Sequence, residues 1–202
     1  NAHTEPVTAV LPITGLADGR HTIYVRGKDV SGAWGNEGQL PIILDTQAPV
    51  IKGVSVEYSN GHSAAKNGDN VLVTAMIEDA GAGLNPASVV LGSNNLDSTI
   101  HIMKDDGTNG DKVSSDNVFS FLVTISAGGN GTKNFTIGAS DIVPNTSSNV
   151  TGNVILDNAA PVFTSLSVLD ADNIYRNGET IILKTVYDAK GYFVRCDFSA
   201  ID

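Results

Sequence analysis

The sequence predicts an all-β protein built of stacked β-sandwich repeats, one complete domain flanked by two partial ones. Three observations carry the prediction. Apolar and polar residues alternate with a period of two, a helical 3.6 period is sustained nowhere, and one long segment recurs about 112 residues further along the chain.

The recurrence fixes the organisation. Residues 21–49, HTIYVRGKDVSGAWGNEGQLPIILDTQAP, align without gaps onto residues 133–161, KNFTIGASDIVPNTSSNVTGNVILDNAAP, placing Asp29 on Asp141, Asp45 on Asp157 and Pro49 on Pro161. A second match runs from Ala48 onto Ala160, with a two-residue gap before Asn67-Gly68 and a one-residue slip in the following strand. The chain therefore reads as residues 1–45, the carboxyl half of one repeat, residues 48–157, a complete repeat, and residues 160–202, the amino half of another.

Within the complete repeat the elements follow from alternation and turn signals. Val71, Val73, Ala75 and Ile77 share one face of a strand, as do Phe119, Phe121, Val123 and Ile125, and then Phe135, Ile137 and Ala139. Strands are expected near 50–58, 69–78, 87–91, 98–103, 117–125, 132–140 and 149–156, separated by clusters such as Asn60-Gly61, Asn67-Gly68-Asp69 and Gly128-Gly129-Asn130-Gly131. About seven strands in about 110 residues fit an immunoglobulin-like sandwich.

The two partial repeats cannot bury enough apolar surface by themselves, and each leaves strand edges open. They are complementary. By the repeat offset Asn1 answers to Val113 and Asp202 to about Ser93, so together they lack only the counterpart of residues 94–112. Strands at 162–169, 179–187 and 192–198 would supply the front of a sandwich and those at 7–13, 21–27 and 39–44 the back, closing a core of Phe163, Ile181, Leu183, Ile23 and Val25. A sandwich places its termini at opposite ends, roughly 35 Å apart, so closure is expected between copies, head to tail, in a filament. The competing reading is a longer tandem protein truncated within the exposed hairpin of each repeat.

Composition excludes several classes. With 17% charged residues, a formal net charge of -10 and a pI near 4.6, the chain is neither a disordered acidic tail nor suited to the phosphates of nucleic acid. No run approaches the roughly 18 apolar residues of a membrane span, and no signal peptide is present in residues 1–10. Cys196 is the single cysteine, so no internal disulfide framework exists.

Particular stretches resemble prokaryotic immunoglobulin-like repeats. IGASDIVPN and VRGKDVSGAWGN resemble an A-x-D-x-x-G-N segment near the end of such repeats, carried by Ala139, Asp141 and Asn145, and by Asp29 and Asn36 with Gly27 in place of alanine. Residues 105–121, DDGTNGDKVSSDNVFSF, resemble a DDG-x-x-GD-x-x-x-GDG-x-Y hairpin, with Ser115 and Asn117 replacing two glycines and Phe119 the tyrosine. Residues 196–202, CDFSAID, resemble the ADLSAIG strand that precedes that hairpin. The resemblance covers nearly the whole chain and implies a repeat of a bacterial or archaeal cell-surface protein, such as an adhesin, stalk or surface-layer (S-layer) component. It implies a fold class rather than an activity.

No catalytic constellation emerges. His3, His21, His62 and His101 lack metal-ligand spacing, and no GxSxG, SxxK or P-loop motif is present, so an enzyme is not expected. Lys52 and Asn153 are nominal partners for an isopeptide crosslink. Asp105, Asp106, Asn109, Asp111 and Asp116 place five hard oxygen ligands in one glycine-punctuated hairpin, open to two readings, calcium coordination or turn chemistry. A second calcium candidate lies at the junctions, where Asp45 or Asp157 would meet Asp29, Glu78 and Asp79, or Asp141 and Asp188, and stiffen the linker.

Asn130, Asn134, Asn145 and Asn149 head four glycosylation sequons. Asn134 is expected to face solvent if Phe135 and Ile137 face the core. Trp34 either packs under a linker or stacks on a sugar ring, and Cys196 is expected as a small packed residue in a strand. Two functions remain: a structural repeat stacked end to end at the cell surface, and an adhesin or carbohydrate-binding accessory module contacting surface glycans. Aromatic content of 6%, most of it at alternating strand positions, favours the first.

Overall fold

The computed structural model describes residues 8–169, 174–188 and 194–196. The chain is all-β and divides into two compact units, Asn1–Asp157 and Asn158–Asp202. In chain order the strands are β1 (Gly19–Val25), β2 (Gly38–Leu44), β3 (Val50–Tyr58), β4 (Asn70–Glu78), β5 (Val90–Gly92), β6 (Ile100–Ile102), β7 (Val118–Thr124), β8 (Gly131–Gly138), β9 (Val150–Leu156), β10 (Phe163–Val168) and β11 (Leu183–Tyr187).

Strands β3 to β9 form a two-layer sandwich at the positions the alternation predicts. One sheet has the order β3-β4-β7 and the other β6-β5-β8-β9, every pairing antiparallel. β5 starts at Val90 where 87 was expected, because Asn85 and Pro86 divert the chain into a 3₁₀ turn, Pro86–Ser88, in which the Asn85 side chain accepts from Ala87 N, and β6 starts at Ile100 where 98 was expected. Val71, Val73, Ala75, Ile77, Phe119 and Val123 from one sheet meet Leu91, Phe135, Ile137, Val154 and Leu156 from the other in a single buried cluster. Phe135, 1% exposed, lies across its register partner Gly152, whose missing Cβ leaves the room for the ring.

At one edge, the turn that leads into β6, with Ser98 at φ 66°, brings Asp97 and Thr99 beside His101 of that strand. Asp97 accepts from Ser93 Oγ, from Thr99 N (3.2 Å) and Thr99 Oγ1 (2.8 Å), and pairs with His101 Nε2 at 2.6 Å, while the imidazole stacks on Phe121 with ring centroids 4.1 Å apart. Burial pushes the Asp97 carboxyl up, but hydrogen bonds from Ser93, Thr99 and His101 outweigh it and hold the carboxyl below the usual aspartate value. A carboxyl depressed in the folded state contributes stability that is present above its unfolded pKa, about 3.9, and lost as pH falls through the folded value. Asp97→Asn is therefore expected to cost about 1 kcal/mol at neutral pH. In urea titrations the difference from wild type should shrink below about pH 4, and a difference independent of pH would show that the charge contributes nothing.

The flanking hairpins are copies of parts of the sandwich. All seven partners of β1 and β2, from Gly19↔Leu44 to Val25↔Gly38, repeat those of β8 and β9, from Gly131↔Leu156 to Ile137↔Val150, at the sequence offset. Pairing of β10 with β11 repeats that of β3 with β4 down to the irregularity, which falls between Phe163 and Ser165 in one and between Ile51 and Gly53 in the other. The turns agree as well: Lys66 N donates to the Asp69 carboxylate and Asp69 N to Lys66 O, as Arg176 N donates to Glu179 and Glu179 N to Arg176 O. Only the two-residue gap separates the copies. Register pairs Val162 with the Asp188 position as it pairs Val50 with Glu78, so the expected one-residue slip is corrected to none.

Other expectations for the partial repeats are corrected. Residues 8–13 and 179–182 form no strand, although strands were expected at 7–13 and 179–187. The counterpart of the first, β7, is held by its ladder with β4, and a lone extended segment has no such ladder. Cys196 is exposed and outside any strand, not packed; much of the strand expected at 192–198 lies outside the described residues, as do residues 1–7. The expected core of Phe163, Ile181, Leu183, Ile23 and Val25 is half-buried or exposed, with Val25 at 59%.

Candidate metal centres

One cluster forms where β2 leads into the central sandwich. Asp45 follows the end of β2, Asp79 the end of β4, and Asp141 lies in the loop between β8 and β9, so three separate loops converge at one end of the domain. Carboxylate oxygens of the three lie within 4.8 Å of one another, with Asp141 1% and Asp45 8% exposed.

Each aspartate is oriented by backbone N–H groups. Asp45 accepts from Gln47 N (3.0 Å) and across the junction from Ala82 N (2.7 Å); Asp79 accepts from Gly81 N (3.1 Å) and Gly83 N (2.8 Å). Asp141 accepts from Asn145 N (2.8 Å) and Asn145 Nδ2 (2.6 Å), and Asn145 Nδ2 also reaches Asp45 O at 3.2 Å. Hydrogen bonds from Ala82 N and Gln47 N hold the Asp45 carboxyl below its usual range. Gly81 makes the approach sterically possible, since a Cβ there would sit 2.2 Å from the Asp45 carboxyl carbon. Lys52, His101 and Lys112 pair with Glu78, Asp97 and Glu57, away from this cluster.

The second cluster lies in the hairpin between β6 and β7. Of the five residues the sequence singles out, Asp105, Asp111 and Asp116 converge with carboxylate oxygens within 4.8 Å. Asp106 instead accepts from Thr108 N and Oγ1, and Asn109 occupies a left-handed turn position, φ 52°. Asp105 clamps the hairpin base through Asp116 N (3.1 Å) and Asn117 N (3.0 Å), while Asp111 accepts from Gly107 N (2.7 Å). Ser115 and Asn117 both have positive φ, 64° and 66°, the conformation that favours the glycines they replace in the resembled hairpin.

Two oxygens bound to one calcium ion at about 2.4 Å lie at most about 4.8 Å apart. Both donor sets are all oxygen and satisfy that spacing. Of the junction residues the sequence named, the structure brings together Asp45, Asp79 and Asp141. Glu78 pairs with Lys52 at 3.5 Å, and Asp29 organises its own loop by accepting from Ser31 N, Ser31 Oγ and Ala33 N. Asp157 and Asp188, the repeat counterparts of Asp45 and Glu78, occur in different compact units.

The remaining sites fall as follows. Asn134, Asn130 and Asn149 are exposed, whereas the amide of half-buried Asn145 is committed to Asp141 and Asp45. Trp34 is 57% exposed, and its ring carries the Arg26 guanidinium at 4.8 Å and the Lys28 ammonium at 5.3 Å. The sequence reading missed the structural role of Asn145, the Asp97–His101 network and the gap that Gly81 leaves; the Asp97–His101 network depends on the turn through Ser98, φ 66°, which carries no periodic signal. No protein-family model matches the chain, and no match to a curated protein emerges.

Proposed function

We propose that the chain is a structural segment of an extracellular, cell-surface protein made of immunoglobulin-like repeats that assemble end to end, with calcium stiffening the junctions. The observation that carries this reading is the recurrence of strand register at the repeat offset, β1–β2 on β8–β9 and β10–β11 on β3–β4. Seven antiparallel strands in sheets of three and four, with the β4–β5, β6–β7 and β7–β8 connections crossing between layers, support the immunoglobulin-like assignment. A spacer needs rigid units with fixed junctions rather than a reactive cleft. Asp45 ties the end of one repeat to the Ala82 loop of the next, and calcium held by Asp45, Asp79 and Asp141 would neutralise three crowded carboxylates there.

Millimolar calcium is expected to raise the melting temperature and a chelator to lower it, because a ligand that binds the native state alone stabilises it by mass action. Asp45→Asn should remove part of the rise and Asp111→Asn another part. A melting temperature unmoved by calcium would count against both centres.

The alternative is an adhesin or carbohydrate-binding module centred on Trp34. The ring's own cations, Arg26 and Lys28, already engage it, which favours the spacer reading. Glycan-array binding lost in Trp34→Ala would reverse the order. Glycans of its own are proposed at Asn134 and Asn149 but not at Asn145, whose amide is engaged. Intact mass of native material should exceed the bare 21.0 kDa, and a bare mass would refute the glycans.

A further inference from the structure

A pocket of about 410 Å³ lies on the central sandwich, between the outer face of the β3-β4-β7 sheet and the acidic hairpin. That volume falls within the roughly 300–1,000 Å³ of small-ligand sites. Its floor carries one row of hydroxyls. Register sets Ser55, Thr74 and Ser120 side by side across the three strands, on the face opposite to Val73, Ala75 and Phe119, which enter the core. The hairpin wall is fixed in place, because Gly110 sits against Leu72 so closely that a Cβ there would collide with Leu72 Cδ1. Two features of this pocket are unmatched within the domain. Ser120 is 2% exposed and its backbone N and O both bond to Lys104, yet among the described residues its hydroxyl meets no partner. A hydroxyl nearly closed to water that lines a pocket calls for an occupant to bond with it. Asp111, 8% exposed, and Asp116 line the same pocket from the hairpin and form no ion pair among the described residues, whereas exposed Glu57 pairs with Lys112 Nζ at 3.6 Å.

We propose that this pocket binds a primary ammonium group on an unbranched aliphatic stem, the head held by Asp111, Asp116 and the Ser120 hydroxyl and the stem lying on Leu72 and Val118. Carboxylates only accept hydrogen bonds, so the occupant brings the donors, and an ammonium brings three. Three carboxylates against one lysine select a cation over an anion. The spacing fits as well. A nitrogen about 2.8 Å from each of two carboxylate oxygens reaches a pair up to about 5.6 Å apart, and those of Asp111 and Asp116 lie within 4.8 Å. A free alkyl diamine and a lysine side chain share this chemistry. The inference goes beyond the structural-repeat reading and takes nothing from it.

Titrating the nitrogen-15-labelled full chain with cadaverine tests this, in low salt and with a chelator that removes calcium as a competitor for the same oxygens. Amide shifts should be saturable, concentrated at Leu72, residues 110–113 and Ser120, and weaker at high salt. The neutral 1-pentanol and the anionic glutarate, of similar length, should give no such shifts. Ser120→Ala and Asp116→Asn should each weaken binding about tenfold, since each removes a bond to a charged group. Asp106→Asn should leave binding unchanged, because that carboxylate is engaged by Thr108 outside the pocket. An unchanged thermal transition of the central sandwich checks that the variants fold. Nα-acetyl-lysine methylamide carries the same head on a peptide unit: binding tighter than cadaverine names a side chain as the occupant, weaker binding a free amine, and both orders carry the inference. Three results overturn it: no saturable shift with either amine, shifts that Asp116→Asn and Asp106→Asn reduce alike, or binding of 1-pentanol equal to that of cadaverine. Those results leave the structural-repeat reading to its separate calcium titration.

Discussion

Phe135→Ala is expected to destabilise the central sandwich by about 3–5 kcal/mol, the cost of a large cavity in a close-packed core. The ring is buried between the sheets and lies over Gly152, whose hypothetical Cβ would meet Phe135 Cζ at 2.2 Å and Cε2 at 2.6 Å. Gly152→Ala therefore forces the ring out of place and is expected to cost about 1–3 kcal/mol although it adds one methyl group. The flanking hairpin supplies the compensating solution. At the same register position it holds Ile23 opposite Leu40, two medium side chains in place of one large and none. Phe135→Ile alone leaves a void and Gly152→Leu alone overpacks, but the double variant recreates the Ile23–Leu40 pair. Urea unfolding should give a coupling energy of about 0.5–3 kcal/mol in the stabilising sense. Additive effects would show that the two positions do not share one volume.

This exchange also explains what was legible in the sequence. Alternation located the strands because buried and exposed faces differ in polarity, and Val71 to Ile77 or Phe135 to Ala139 could hardly be read otherwise. Register across strands was legible only through the repeat, and the slip expected near Asp188 arose from matching the letters Asp-Ala in a strand whose ladder ends one residue earlier. Convergence of Asp45, Asp79 and Asp141 was partly legible, since each follows or interrupts a strand at the same end of the repeat. Which aspartates meet depends on loop conformation. Asp29 and Asp141 occupy matching positions and organise matching loops, yet Asp29 follows the Val25↔Gly38 end of its hairpin and Asp45 the Gly19↔Leu44 end, so Asp141 meets Asp45 and Asp29 does not. In the acidic hairpin, five carboxylate or amide side chains looked alike as letters, and hydrogen bonds to Thr108 N and Oγ1 remove Asp106 from the cluster.

Asp141→Ala is expected to cost about 1–3 kcal/mol even without calcium, because it strands two donors, Asn145 N and Nδ2, at a position nearly closed to water. Asp141→Asn should be nearly as harmful. One amide oxygen can still accept from Asn145 N, but the new NH₂ group faces the NH₂ of Asn145. Gly81→Ala separates this structural contribution from the junction itself. Its backbone is not in the left-handed region, so alanine is tolerated there conformationally, yet the methyl group occupies the space of the Asp45 carboxylate. The bond from Ala82 N to Asp45 is then lost while Asp141 keeps both bonds to Asn145. Gly81→Ala should consequently leave the urea midpoint of the central sandwich near wild type, abolish the junction's share of the calcium-dependent rise in melting temperature, and expose the segment after β2 to protease. Asp141→Ala should lower the urea midpoint as well as remove the junction's share of the calcium response. If Gly81→Ala kept the full calcium response and the protease resistance of wild type, Asp45 would not be part of a junction centre, and the calcium effect would have to come from the hairpin of Asp105, Asp111 and Asp116.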